Sequence, residues 1–394
     1  MQPGKMSPQR KTQLRVLANM MKRQKVRRLP VNQHILDIFD VAITPEEANF
    51  LIRMGTREKS YEQLMAIAYL PEDKFQSFLE PILRKGLIWP KEDEFGDKVY
   101  TLSPIMFGWF ELFLSDGGET PEQVKFAQRL NEYFDSLKKS NFFPARNLMN
   151  LTFSRTSVPL QSIAAIRSYS EEELPISTID ISKTAAATPT RIYPAQSVYD
   201  IIERHNGGSI ALMHCSCRQW RKMMGETCRF DMPHEACLAL GHLARSAVEY
   251  DIGHYISKAQ AFDIVDESEA RGAVHTVYHE HEDIRQPQVA ICNCCWDCCS
   301  VFGSYNRGLI PLHFKSYYQA HIPDLSMCTG CGVCEEYCPV NGISMTEESA
   351  VLDSAKCIGC GQCAYQCPTG AIELEYRERD VMLPMLKRSE VRIQ

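Results

Sequence analysis

CTGCGVCEEYCP at 328–339 and CIGCGQCAYQCP at 357–368 are two copies of one pattern, C-x2-C-x2-C-x3-C-P, the second beginning 29 residues after the first. The repeat is wider than its cysteines. Ile322-Pro323-Asp324 aligns with Val351-Leu352-Asp353, and Ile343 with Ile372. All 17 cysteines of the 394-residue chain lie between Cys215 and Cys367, so the first 214 residues offer no thiol. Disulfides are the first reading to test. Disulfide-stapled chains are usually short and secreted, whereas this one is long, 44% hydrophobic and groups its cysteines as C-x-x-C runs. That usage points to metal or cluster sites in a reducing compartment, and the expected location is cytoplasmic.

The paired runs resemble the bacterial two-cluster ferredoxins. In that family the fourth cysteine of each run serves the other cluster. The resemblance therefore implies Cys328, Cys331, Cys334 and Cys367 for one [4Fe-4S] cluster, and Cys357, Cys360, Cys363 and Cys338 for the other. Closely spaced cysteines let one loop wrap a cube, the intervening glycines let backbone N–H groups approach sulfur, and the proline turns the chain away. A ferredoxin-like domain is expected at 317–378, able to hold both clusters as a fragment from Tyr317 to Glu378.

Nine cysteines remain. Cys215, Cys217, Cys228 and Cys237 lie in CSCRQWRKMMGETCRFDMPHEAC, while ICNCCWDCCS at 291–300 holds Cys292, Cys294, Cys295, Cys298 and Cys299. Adjacent cysteines are poorly placed for a bridge. They also tend to point apart, so Cys294-Cys295 and Cys298-Cys299 suit two neighbouring sites better than one. One or two further iron-sulfur clusters are expected, ligated from both segments; structural zinc is the alternative, since thiolate suits either metal. Both groups follow apolar strands, near 209–214 and 288–292, which are expected to lie adjacent and parallel. His275, His279 and His281 share a strand face as candidate ligands, and His214 and His234 stand near cysteines where they could hydrogen-bond sulfur.

The expected class is α+β: a helical, winged-helix-like N-terminal half, an α+β cysteine-rich middle domain and the C-terminal two-cluster domain. The first thirty residues carry nine Lys or Arg and no acid, and read as a basic arm, either solvated or docking an acidic partner or an anionic membrane surface. Residues 31–167 form a winged-helix-like and helical domain: Thr44-Pro45-Glu46-Glu47 and Ser60-Tyr61-Glu62-Gln63 read as capped helix starts, Glu72 to Lys85 as a third helix, and two short strands follow. The resemblance to a winged helix stops short of nucleic acid. The wing carries Glu92, Asp93, Glu94 and Asp97, which repel phosphate. A Ser/Thr/Pro-rich linker is expected at 168–195, a cysteine-rich domain at 196–316 with helices near 234–250 and 257–271, and a tail at 379–394.

No G-x-G-x-x-G follows a strand, no G-x-x-x-x-G-K-[ST] occurs, and no stretch has the apolar length of a membrane span. The order of parts resembles multidomain 4Fe-4S proteins of anaerobic bacteria and archaea. One-electron transfer to or from a partner redox subunit is the expected function. The alternatives are an iron-sulfur enzyme with an open site among the nine cysteines, and a redox-sensing winged-helix regulator.

Overall fold

The computed structural model describes residues 6–24, 30–93, 95–139, 160–163, 198–205, 209–279 and 288–393. The linker expected at 168–195 lies outside them. The chain forms two compact units, each assembled from several stretches: residues 1–157, 211–228 and 242–255 in the first, and 158–210, 229–241 and 256–394 in the second. No helix among the described residues is long and apolar enough to cross a membrane.

The first unit opens with α1 (Pro8–Lys22), α2 (Gln33–Ala42), α3 (Pro45–Met54), α4 (Tyr61–Ala68) and α5 (Glu72–Arg84). Capping boxes start α3 and α4: Thr44 Oγ1 accepts from Glu47 N, and Ser60 Oγ accepts from Gln63 N. Each box satisfies N–H groups that the helix itself leaves open. The basic segment is no solvated arm. Leu14, Leu17, Ala18 and Met21 of α1 are fully buried, so its apolar stripe belongs to the core, while Arg15 and Arg23 face solvent. Gly86 stops the chain beyond α5 with φ 68°, in the left-handed region that favours glycine.

Strands β1 (Ile88–Glu92) and β2 (Lys98–Leu102) pair antiparallel as the expected ribbon. Downstream, α6 (Pro121–Lys139) packs on α2, and Trp109 sits fully buried with its ring 4.7 Å from Phe39 and 5.5 Å from Phe126. The ribbon is tied down by charge: Arg245 bonds Glu92 at 2.8 Å and Lys98 bonds Glu249 at 2.6 Å, both partners lying on a helix at His242–Glu249.

The second unit is built on strands β3 (Leu160–Ile163), β5 (Glu235–Leu240), β7 (Val274–His279), β8 (Gln288–Cys294), β9 (Leu312–His321) and β12 (Glu373–Leu383), in the order β12-β9-β3-β7-β8-β5. Only β3 with β9 is parallel and the other pairs are antiparallel, while β10 (Ile343–Met345) and β11 (Ala350–Leu352) form a separate antiparallel ribbon. Two expectations change here. Residues 235–240 form a strand in place of the expected helix, because EACLAL finds a partner in β8 and tertiary pairing outweighs an ambiguous apolar run. Strand β8 is flanked on both sides, by β7 and β5, so the strand at Ile210–His214 (β4) is not its neighbour; β4 pairs with β6 (Gly253–Tyr255).

The helix at Lys258–Ala270 keeps its expected place, capped by Ser257 and ended by Gly272 at φ 99°. The expected tail is partly strand. Residues 379–383 continue β12, and five of the nine register pairs between β9 and β12 fall outside 317–378. Both ends of the expected fragment therefore cut through paired strands, and a fragment that keeps the β9–β12 pairing whole runs from Leu312 to Leu383.

Candidate iron-sulfur and metal centres

The doubled cysteines divide where β8 ends. Side chains alternate along a strand, so Cys292 and Cys294 share one face and Asn293 takes the other. Cys237 of β5 lies directly opposite Cys292, with the two Sγ atoms 3.6 Å apart, and Thr276 Oγ1 of β7 sits 3.4 Å from Cys294 Sγ. Three thiols from both cysteine segments thus meet on one sheet face. Cys292 is held well above the usual thiol range by hydrogen bonds with Cys237 and Cys294 and by burial.

The opposite face is buried and carries one polar pair among apolar neighbours Ile291, Val277 and Leu238. His275 Nδ1 lies 2.6 Å from Asn293 Oδ1, and Asn293 Nδ2 donates to Ala236 O at 2.9 Å. Burial pushes His275 down to about 4. The expectation that His275 is a ligand is corrected by this alternation, which pairs it with Asn293 away from the thiols. His279 ends β7, and His281 lies outside the described residues. His214 donates its backbone N–H to Ser115 O at 3.0 Å, while His234 is exposed.

Beyond Cys294 the chain leaves the strand and turns. The ligand atoms of Cys295, Asp297 and Cys298 lie within 4.8 Å of one another. Asp297 Oδ1 accepts from Cys298 N at 2.8 Å and Oδ2 from Arg229 N at 2.6 Å. Burial, with the Cys295 thiol nearby, holds the Asp297 carboxyl above its ordinary value. The cysteine pattern alone does not single out this carboxylate; its signal in the sequence is an acidic residue inside C-C-W-D-C-C. Cys299 is also buried, its Sγ accepting from Val301 N at 3.3 Å. Cys215 and Cys217 belong to the first unit, at the turn from β4 into the helix Ser216–Met223, where their mutual hydrogen bond, with burial, raises Cys215 well above the usual thiol range.

In the C-terminal repeat the backbone repeats as well as the sequence. Gly330 (φ 68°) and Gly332 (φ 78°) of the first run correspond to Gly359 (φ 67°) and Gly361 (φ 82°) of the second. A side chain at Gly359 would run into the Tyr318 backbone oxygen, so close approach as well as the turn demands glycine. A cavity is lined by Cys338, Cys357, Cys360 and Cys363 together with Val340, Ile343, Leu352 and Ile358. Cys338 comes from the first run and meets three cysteines of the second. Backbone N–H groups aim at sulfur: Gly342 to Cys338 at 3.1 Å, Ala320 to Cys357 at 3.4 Å and Ala371 to Cys367 at 3.3 Å. Burial pushes Cys334 up to about 11, with the Cys331 and Cys328 thiols adding to the rise. Residues 327–371 match the 4Fe-4S dicluster domain family.

This part of the chain is a 4Fe-4S dicluster domain. Together with the thiol-rich middle region it makes the protein an iron-sulfur protein, with electron transfer its broad role. No curated protein and no solved structure matches the chain. The dicluster domain suits its cofactor: converging thiols offer soft ligands, and N–H donors offset the charge that sulfur carries once it binds iron. Its two ends differ in exposure. Cys331 is exposed and Cys328 and Cys367 half-buried, whereas Cys338, Cys360 and Cys363 are buried.

The buried end of the dicluster domain is fastened to the turn after β8. Trp296 Nε1 donates to Glu336 O at 3.2 Å, and Asn306 Nδ2 to Pro339 O at 3.0 Å. Arg392 donates to Cys338 O at 2.5 Å and to Glu336 O at 3.1 Å, with its guanidinium 3.8 Å from the centre of the Trp296 ring. The expected tail thus returns to the cysteine sites.

Proposed function

We propose that the chain relays single electrons to or from a partner redox subunit. The dicluster domain binds one [4Fe-4S] group through Cys328, Cys331, Cys334 and Cys367 and the other through Cys357, Cys360, Cys363 and Cys338, and the face of Cys237, Cys292 and Cys294 contributes to a further iron-sulfur cluster. When bound, such groups supply one-electron redox chemistry. The observation that carries the reading is the fastening of the two cysteine-rich regions into one unit by Trp296, Asn306 and Arg392. The exposed end at Cys331 is the face for exchange with the partner, and the buried end is held against the interior. The thiols bind, the N–H donors stabilise negative charge on sulfur, and the apolar lining at Val340, Ile343 and Ile358 excludes water.

Anaerobically purified protein should contain more iron and acid-labile sulfide than the dicluster domain accounts for, and should take up reducing equivalents one at a time. Iron limited to the dicluster domain, or zinc at Cys237 and Cys292, would reject the wider relay.

The first unit acts in this reading as a protein-binding module of winged-helix type. Its wing is acidic and already paired with Arg245 and Glu249, which supports packing against protein over binding to DNA. Arg15 of α1 and Arg23 at its C-cap form an exposed cationic surface for an acidic redox partner. Arg15→Glu combined with Arg23→Glu is expected to slow association at low salt with little change at high salt, leaving iron content untouched. Salt-independent binding would remove this surface from the interface.

A further inference from the structure

The turn at Cys295, Asp297 and Cys298 has the dimensions of a different kind of centre. Two thiolates on one tetrahedral ion, each at about 2.3 Å, stand about 3.8 Å apart. Thiolates on separate irons of a cube are further apart, on the order of 6 Å, because an iron–iron edge lies between them. The donor atoms of this turn all lie within 4.8 Å of one another, and among the described residues no other group of three or more metal-binding side chains does so. The dicluster cysteines, spaced for cubes, are not so close.

Charge points the same way. Cys295 and Cys298 are 1% and 3% exposed, and a carboxylate sits beside them. Two buried thiols and a half-buried carboxylate can all be ionised together only when a cation joins them. Both oxygens of Asp297 are already oriented by backbone N–H groups, from Cys298 and Arg229, as the outer partners of a metal-bound carboxylate are. Phe230, with its ring 5.6 Å from Trp296, helps to close the region to solvent. Cys228 stands one peptide bond before Arg229.

We infer that Cys295, Cys298 and Asp297 hold a single divalent ion of the zinc or ferrous class, separate from the iron-sulfur clusters. The mixed donor set, two soft thiolates and one hard carboxylate, suits a borderline metal. The site goes beyond the relay reading and does not depend on it.

The test uses the full chain, purified anaerobically with its dicluster iron in place, freed of labile divalent ions by a mild chelator and titrated with Co2+. One Co2+ per chain is expected, with sulfur-to-cobalt charge-transfer absorption and the visible bands of a tetrahedral ion. Cys298→Ser should lower the charge-transfer intensity. Asp297→Asn, which keeps one oxygen acceptor for the backbone, should weaken Co2+ binding about tenfold or more while preserving the sulfur signal of the ion that does bind. Cys292→Ser, altered only on the sheet face, should leave the cobalt spectrum unchanged. The inference is overturned if Cys298→Ser loses iron and sulfide together, if Asp297→Asn binds Co2+ as the unaltered chain does, or if Cys292→Ser abolishes the signal. Dicluster iron and its reduced-state EPR spectrum, recorded on each variant, show separately whether the relay centres are intact.

Discussion

Cys338→Ala is expected to abolish one of the two dicluster-domain clusters, and the one abolished should be that which Cys357→Ala also removes. By position in the sequence Cys338 belongs with Cys328, Cys331 and Cys334. In space it closes a cavity with Cys357, Cys360 and Cys363. Alanine removes the sulfur without supplying an oxygen that could replace it, and it also leaves the Gly342 N–H without its acceptor. Iron and sulfide per chain, together with reduced-state EPR, provide the measurement. A residual spectrum matching that of Cys334→Ala instead would show that each run holds its own cluster, and the crossed ligand assignment would fall.

Asn293→Ala should cost about 3 kcal/mol, the second large effect. Asn293 is 2% exposed and bonds both His275 and Ala236 O, so the truncation leaves buried polar groups on two neighbouring strands unpaired. His275 adds a pH dependence. Its folded-state value is about 4, against 6.5 for the free imidazole, because burial disfavours the charged ring. As pH falls through 6.5 the unfolded chain takes up a proton that the folded chain refuses. This contribution is complete above about 6.5 and fades toward pH 4, a loss of about 3 kcal/mol. Denaturant midpoints at pH 7 and pH 5 should converge in His275→Gln, which can still bond Asn293 through its amide. Acid loss of clusters affects both chains alike. An unchanged pH slope in His275→Gln would remove the histidine from the account.

The dicluster domain was legible because its chemistry is local: a cube demands cysteines at short fixed intervals, and the interval is written in the chain. Helix starts were legible for a similar reason, since Thr44, Ser60 and Ser257 satisfy N–H groups three residues away. What escaped depends on distant partners. HEACLALGHLARSAVEY reads as one helix until β8 claims its first half, and nothing near Cys292 announces that Cys237 will face it across β5 and β8. The strand pair β9 and β12 was hidden because it brackets the repeat from outside. Asp297 was overlooked among louder neighbours, although its oxygens are fixed by residues as far apart in sequence as Arg229 and Cys298.

The interleaving of the two units has a consequence for how the molecule is made. The first unit takes its last stretch from residues 242–255, after the chain has already contributed 158–210 and 229–241 to the second. A ribosome delivers these pieces in order, so the helical unit stays incomplete until residue 255 has emerged, by which point two stretches of the second unit are already outside and waiting for residues 256–394. Cys237 leaves the ribosome well before β8 can pair with its strand. During that interval the newborn chain exposes soft ligands to whatever metal the cell offers, and correct loading becomes a matter of timing during synthesis as well as of final geometry.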